Sequence, residues 1–158
     1  MLLLALGMAG AVGAFFGVKG YRMYQDAISQ TSIKERVEEI RAKENFTVYS
    51  EMSDFYVEAV ISVEDHRFMS HSGIDPIAVA RAAWTDIREM SYVEGGSTIT
   101  QQIAKNMLFT QEKRIERKVA EVFAAYDMEK NYTKEELFEL YVNTANSGSG
   151  YEGIYAAS

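Results

Sequence analysis

Apolar residues recur every three or four positions along most of the chain, which is the spacing of one face of an α-helix. From Ser53 to about Met69 this spacing is carried by Phe55, Tyr56, Ala59, Val60 and Val63. The inner faces of three later segments are predicted from Ile77, Ala80, Trp84 and Ile87, from Ile115, Val119, Val122, Phe123 and Tyr126, and from Leu137, Leu140 and Tyr141. The pattern predicts a mainly α-helical domain with short loops, in which residues 45–50 form a short extended piece.

Capping residues mark where several of these helices begin. A Ser or Thr followed three positions later by Glu or Gln is the spacing of a capping box. The pairs with this spacing are Ser32 with Glu35, Thr98 with Gln101, and Thr133 with Glu136. Asp75 followed by Pro76 is a further helix start, and Gly73 is expected to end the helix before it.

The N-terminal stretch differs from the rest because Leu2 to Val18 carries no charged residue. Its length lies at the lower edge of the roughly 17 to 20 residues that cross a bilayer core, so residues 1–24 are predicted to be a transmembrane anchor. A cleaved signal peptide is the alternative, although no basic residue precedes the apolar run. Residues 25–50 are predicted to be a charged linker or stalk, and residues 51–158 a single globular domain.

Composition excludes several classes of protein. The chain has no cysteine, which rules out disulfides and thiolate metal sites. Its net charge of −7 argues against a nucleic-acid binder, because phosphate backbones are held by a surplus of Lys and Arg. Between Lys105 and Lys118, however, basic residues outnumber acidic ones, which indicates either a local anion site or a solvated helix face.

Two carboxylates, Glu64 and Asp65, stand near the end of an otherwise apolar predicted helix. A carboxylate in such surroundings suits a general acid or base, whereas the alternative is an exposed residue at a helix end. His71 is expected either to orient Glu64 or to cap the C-terminus of the helix.

The run Gly95-Gly96-Ser97-Thr98 predicts a turn that opens a helix, where free backbone N–H groups favour anions. Gln101, Gln102 and Lys105 follow on adjacent faces, and the alternative is an ordinary capped helix. Farther on, Arg117, Lys118 and Glu121 have the spacing of one helix face, which indicates either a phosphate-binding group or a surface ion-pair cluster.

Four stretches together resemble the peptidoglycan glycosyltransferase domain, family 51 of the glycosyltransferases. They are EDHRFMSHSG at residues 64–73, GGSTITQQIAKN at 95–106, RKVAE at 117–121 and KEELFELYVN at 134–143. Members of this family occur as monofunctional membrane-anchored enzymes and as N-terminal domains of class A penicillin-binding proteins. The resemblance covers about residues 53–158 and implies a lysozyme-like helical fold that polymerises lipid II into glycan strands.

The resemblance also implies roles for individual residues. Glu64 would be the general base that deprotonates the 4-hydroxyl of the acceptor sugar, and Glu121 would be a second catalytic carboxylate near the pyrophosphate of the donor. No tightly bound cofactor is expected, but Glu121 is a candidate ligand for Mg²⁺ or Mn²⁺. The residues expected to bind substrate are Asp65, Phe68, His71, Gly96, Ser97, Thr98, Gln101, Gln102, Lys105, Asn106, Lys113, Arg117 and Lys118.

The implied partners are lipid II, the lipid-linked glycan strand, the membrane and other proteins of cell-wall synthesis, with no nucleic acid. The implied location is the bacterial cell membrane, with a single transmembrane helix and an extracytoplasmic catalytic domain. Because the family's domain continues for further helices, the domain is expected to be C-terminally incomplete at Ser158. Two other functions stay open: a non-catalytic membrane-anchored scaffold and a lysozyme-like hydrolase, which would use a similar carboxylate.

Overall fold

The computed structural model describes residues 2–89, 95–110, 112 and 114–145. Within these residues it contains α-helices, two short 3₁₀ turns and no β-strand, which confirms the mainly α-helical prediction. The helices are α1 (Leu2–Gln30), α2 (Ile33–Arg41), α3 (Asp54–Glu64), α4 (Pro76–Glu89), α5 (Ile99–Leu108), α6 (Ile115–Asn131) and α7 (Lys134–Thr144). The 3₁₀ turns span Tyr49–Glu51 and Phe68–Ser70.

The predicted helix starts are confirmed. Complete capping boxes are formed at Ser32, Thr98 and Thr133, each with the predicted partner three residues later. At the start of α4, one carboxylate oxygen of Asp75 accepts the backbone N–H groups of Ile77 and Ala78, both at 3.0 Å. These starts were predictable because a cap depends on neighbours within one turn.

The end of α3 was predicted too late. The helix stops at Glu64 and not near Met69, because Asp65 leaves the helical region with φ −161° and ψ 72°. This turn directs the carboxylate of Asp65 to the start of α5, 34 residues further along the chain. Gly73, with φ +93°, lies in the following loop and not at the end of the helix.

Three predicted inner faces are wrong in part. Phe55 and Val63 of α3 are 83% and 82% exposed, whereas Val57 is buried. On α4, Ile77 and Trp84 are largely exposed and Ala82 is buried instead. On α6, Ile115 and Tyr126 are also exposed, and the buried residues are Ala120, Glu121, Ala124, Ala125 and Met128. Apolar residues occur around most of these helices, so their spacing does not single out the buried face.

The core lies where α5, α6 and α7 pack together. Its fully buried side chains include Ile99 and Ile103 from α5, Met128 from α6, and Leu137 and Phe138 from α7. The rings of Phe68, Tyr49, Tyr56 and Tyr141 surround Phe138 at centroid distances of 5.9 to 6.5 Å. This packing fixes the helices that carry the four motifs relative to one another.

The first helix packs along α6 over its second half. The hydroxyl of Tyr24 donates to Asp127 at 2.6 Å, and the rings of Tyr21 and Tyr24 contact Phe123. Among the residues that the structure describes, no helix combines the length and the apolar character needed for a bilayer span. The predicted transmembrane helix is therefore not confirmed.

The segment predicted to be a linker packs against the same core. Ile33, Val37 and Ile40 of α2 belong to the buried cluster. The side chain of Asn143 accepts the N–H of Thr47 and donates to its carbonyl, both at 2.9 Å. The segment 31–52 thus contacts the core through α2 and through Thr47. The division into anchor, linker and catalytic domain stays a prediction.

Candidate active site

Glu64, the last residue of α3, is exposed beside the first turn of α5. The side-chain amide of Gln102 donates to its carboxylate at 3.0 Å. Glu64 lines a polar cleft of about 590 Å³ together with His66, Arg81 and Ser97. A separate groove of about 520 Å³ between α2 and α6 contains no residue of the four motifs. The chemistry-bearing residues thus lie at the first cleft.

Asp65 also lines this cleft, but its carboxylate is engaged by the protein itself. One oxygen of its buried carboxylate accepts the N–H of Ile99 at 3.0 Å and bonds the Nε2 atom of His71 at 2.8 Å. The Nδ1 atom of His71 accepts the N–H of Gly73 at 3.2 Å, so the ring proton is on Nε2 and is donated to Asp65. His71 therefore neither orients Glu64 nor caps a helix. The pair ties the end of α3 to the start of α5.

Thr98 and Gln101 form the turn that starts α5. The hydroxyl of Thr98 donates to the carbonyl of Gly73 at 2.7 Å and accepts the N–H of Gln101 at 3.1 Å. The side-chain oxygen of Gln101 accepts the N–H of Thr98 at 3.0 Å. Both side chains are buried. Their oxygens serve the capping box, and the expected contact of Thr98 and Gln101 with substrate stays a prediction.

Gly73 and Gly96 allow backbones to approach closely at this turn. A Cβ atom on Gly73 would lie 3.0 Å from the backbone of Ala125, and its positive φ also disfavours other residues. A Cβ atom on Gly96 would lie 3.2 Å from the Cα of Val79 and 3.3 Å from the Cβ of Ala82. Gly96 therefore packs against α4.

Glu121 lies inside the protein with 0% of its surface exposed. Its carboxylate pairs with the ammonium of Lys118 at 2.9 Å and with the guanidinium Nε of Arg117 at 3.1 Å. The contact with Arg117 has ion-pair distance without hydrogen-bond alignment, since neither atom has a hydrogen-bond partner among the described residues. Two cations enclosing one carboxylate leave this trio with a net positive charge.

The expected metal ligand is not open to a metal. Lys118 and Arg117 occupy the two oxygens of Glu121, and no group of three or more His, Cys, Asp or Glu side chains in the described ranges is arranged to hold a metal ion. Divalent cations in proteins take several oxygen ligands. The residues around Glu121 therefore do not fit such an ion.

Lys118 links Glu121 to the cleft. Its ammonium also donates to the hydroxyl of Ser97, which lines the cleft that contains Glu64. Glu121 thus reaches the wall of this cleft through Lys118 and Ser97. The side chain facing the cleft on the Glu121 side is consequently a cation and not an acid.

The other basic and amide residues divide between the cleft and the scaffold. Lys105 is half-buried, one turn after Gln102, and forms no ion pair within the described residues. The amide of Asn106 donates to the carbonyl of Thr144 at 3.1 Å, which places it at the end of α7. Phe68 is fully buried in the core and cannot contact a ligand. Lys113 lies outside the described residues.

Tyr141 is a site residue that the sequence analysis assigned only to the buried face of α7. Burial, then the negative charge of Glu64, the neighbouring Tyr56 and a hydrogen bond to Glu64 raise the pKa of Tyr141 to about 12. The phenol is therefore protonated at neutral pH and lies close to the charge of Glu64. The sequence did contain a signal for this role: a tyrosine lies in the apolar stripe of α7, and a buried phenol usually has a polar partner.

Two polar contacts link the segments that surround the site. The guanidinium of Arg67 forms a two-point contact with Asp75, with the Nε bond at 2.8 Å. Burial opposes the charge of this carboxylate, but the bonds from Arg67 and from the α4 backbone hold its pKa below the ordinary value. Elsewhere, Lys134 donates to Glu129 and to the carbonyl of His71, both at 2.7 Å.

Comparison with known proteins identifies the family of this helical cleft. The sequence profile described as "Transglycosylase" matches residues 30–158. The chain belongs to the transglycosylase family. Penicillin-binding protein 1F of Bacillus subtilis (strain 168) is 50% identical over 101 residues, which cover 64% of this chain and 14% of that protein. The monofunctional glycosyltransferase of Staphylococcus saprophyticus is 38% identical over 132 residues, covering 84% and 48%. The chain thus matches less than half the length of these curated relatives.

Within this transglycosylase domain, the expected site residues form two groups. The first comprises Glu64 and Ser97, which line the cleft, Gln102 and Lys118, which bond to them, and the half-buried Lys105. The second is bonded or packed within the scaffold, although three of its members also line the cleft, and it comprises Asp65, Phe68, His71, Gly96, Thr98, Gln101, Asn106, Arg117 and Glu121. The separation follows from burial and hydrogen bonding, which the order of motifs in the sequence does not show.

Proposed function

We propose that the domain is a peptidoglycan glycosyltransferase that polymerises lipid II into glycan strands, with Glu64 as the general base. The observation that carries the proposal is the arrangement at one cleft: an exposed carboxylate that accepts the amide of Gln102 beside the phenol of Tyr141, with the ammonium of Lys118 at Ser97 of the same cleft. Membership of the transglycosylase family supports the same reaction.

In this reaction the 4-hydroxyl of the acceptor sugar attacks the anomeric carbon of the donor strand. The bond between that carbon and the lipid pyrophosphate breaks with inversion, and the hydroxyl proton passes to Glu64. Bonds from Gln102 and Tyr141 orient the carboxylate so that one oxygen lone pair faces the acceptor. Neither donor carries a positive charge, so neither competes for the proton that Glu64 accepts.

The leaving pyrophosphate gains negative charge as the bond breaks. The ammonium of Lys118 contacts Ser97 at the cleft wall, and we assign it and Lys105 to this group because fixed charges aimed at a developing anion lower the barrier strongly. Glu121 then acts as a positioning residue: it fixes the ammonium of Lys118 from the interior and touches no substrate. Since lipid II is membrane-linked, we place the reaction at the extracytoplasmic membrane surface.

A hydrolase is disfavoured by the same geometry. Glycoside cleavage normally uses two carboxylates that flank the bond. Asp65 is engaged with Ile99 and His71, Asp75 with Arg67 and the start of α4, and Glu121 is enclosed by two cations, so none of these three acids is free to flank a bond beside Glu64.

The proposal is tested by incubating the purified chain with labelled lipid II. Glu64→Gln should reduce the polymerisation rate by about 10²–10⁴, the usual contribution of a general base. Glu58→Gln, the same change at an exposed position of α3, is the matched control and should retain the wild-type rate. Polymer formation that Glu64→Gln leaves unchanged would refute the assignment. Binding of lipid II without any polymer by the wild-type chain would indicate a non-catalytic scaffold, and release of fragments from finished glycan would indicate a hydrolase.

A further inference from the structure

We propose that the second half of α1 positions Lys118 and Glu121, which form the cation side of the site, and that Gly20 allows it to do so. The inference rests on the proposed function, because Lys118 and Glu121, the side chains that it positions, are those assigned to the departing pyrophosphate.

Gly20 is the point of closest approach between α1 and α6. It is buried, and a Cβ atom built on it would lie 2.5 Å from both Cβ and Cγ1 of Val119 and 3.0 Å from the carbonyl oxygen of Glu116. Real Cβ atoms do not approach other carbons to 2.5 Å, so any side chain at position 20 would separate the two helices. A Cβ atom built in the same way on Gly17, one turn earlier, would have no neighbouring atom within 4 Å.

Contacts on either side of this point prevent α1 from simply moving away. Toward the N-terminus, the ammonium of Lys19 lies 3.7 Å from the carboxylate of Glu116. Toward the C-terminus, Tyr24 donates to Asp127 at 2.6 Å and stacks on Phe123. An added methyl group at Gly20 would therefore displace α6 at this point.

The same segment of α6 carries the charged trio on a neighbouring face. Lys118 adjoins Val119 in sequence, and Glu121 lies two residues further, roughly half a turn around the helix. On its other side α6 packs against α5 and α7, where Ala120 and Ala124 are fully buried. Because close-packed interiors transmit strain rather than absorb it, displacement of α6 would move Lys118 relative to Ser97.

Substitution at Gly20 should have less effect on the side of the cleft that carries Glu64. Glu64, Gln102 and Tyr141 are carried by α3, α5 and α7 and not by the helix that α1 contacts. Substitution at Gly20 is therefore expected to weaken binding of the pyrophosphate group and to leave the base in place. That pattern differs from simple loss of folded protein.

The test compares Gly20→Ala with Gly17→Ala in the full chain. Two quantities are measured: the rate of polymerisation of lipid II, and the calorimetric titration of a lipid II analogue whose sugar 4-hydroxyl is methylated and which cannot act as acceptor. A misplacement of about 1 Å can reduce an enzymatic rate about a hundredfold, so Gly20→Ala should lower kcat/KM and analogue affinity at least about tenfold. Its binding stoichiometry should stay at the wild-type value. Gly17→Ala should match the wild type in both measurements.

A second variant restores the space. Val119→Gly removes the Cβ and Cγ1 atoms that the new methyl group would meet, so the double variant with Gly20→Ala should recover most of the lost affinity. The inference is refuted if Gly20→Ala equals the wild type, if it lowers stoichiometry at unchanged affinity, or if Val119→Gly restores nothing. A wild-type chain that neither binds the analogue nor forms polymer would refute the proposed function, and the inference with it.

Discussion

The two sides of the cleft hold their carboxylates in opposite ways. On the α3 side, Glu64 is exposed and its partners, Gln102 and Tyr141, are uncharged donors. On the α6 side, Glu121 is fully enclosed and its partners, Lys118 and Arg117, are cations. A carboxylate whose partners are neutral can accept a proton from a ligand, whereas one enclosed by cations serves to hold them. Two acids in neighbouring motifs therefore have different functions.

The largest expected effect comes from Glu121→Gln. Removing the charge leaves the half-exposed ammonium of Lys118 and the guanidinium of Arg117 without their counter-ion, and losing a hydrogen bond to a charged group destabilises a fold by about 1.5–3 kcal/mol. The variant should lose that much free energy of unfolding in urea titrations and should also lose polymerisation activity. Glu64→Gln, at an exposed position, should change the free energy of unfolding by less than about 0.5 kcal/mol. Equal destabilisation by the two variants would contradict the distinction between the two sides.

A smaller effect is expected for Tyr141→Phe on the open side. The substitution removes one of the two donors to Glu64 and keeps the packed ring. Loss of one hydrogen bond to a charged group corresponds to about 1.5–3 kcal/mol, so the polymerisation rate should fall roughly tenfold to a hundredfold. Tyr56→Phe, the same change at a half-buried tyrosine without a bond to Glu64, is the control. A wild-type rate in Tyr141→Phe would show that the phenol does not contribute to the reaction.

The smallest effect concerns a third enclosed carboxylate, Asp75. Its pKa is held below the ordinary value of 3.8 by Arg67 and the start of α4, against the opposing effect of burial. A depressed pKa stabilises the fold above the unfolded-state value, and this contribution is lost as pH falls through the folded value. Acid titration followed by circular dichroism should therefore show destabilisation beginning below about pH 4. Asp75→Asn should flatten that part of the curve, and an unchanged curve would contradict the role of the pair.

Local sequence predicted the helix starts but not the contacts between helices. The capping boxes at Ser32, Thr98 and Thr133 depend on residues three positions apart, and all three are formed. The bond from Asp65 to Ile99 joins residues 34 positions apart, so no periodicity indicates it. The exposed faces of α3 and α4 were misassigned because apolar residues surround both helices. The sequence pattern did not indicate the role of Tyr141, because a tyrosine in an apolar stripe predicts a residue that packs in the core.

The same limit explains the division within the predicted site. Motif order identified Glu64, Gln102 and Lys118 together with the residues that support them, since both groups occur in the same short stretches. Burial separates the two groups: Thr98 and Gln101 are enclosed by the capping box, whereas Gln102, the next residue, reaches the cleft. Adjacent residues of one helix face in different directions by about 100°, so neighbours in a motif have different roles.

The central claim, that Glu64 acts on the proton and not on binding, is tested most directly by measuring both quantities on Glu64→Gln. Calorimetric titration with the 4-O-methylated lipid II analogue gives affinity, and polymerisation of labelled lipid II gives rate. We predict an affinity within about twofold of the wild type together with a rate at least about a hundredfold lower. An affinity that falls as far as the rate, or a rate that does not fall, would contradict the assignment of Glu64 as the base.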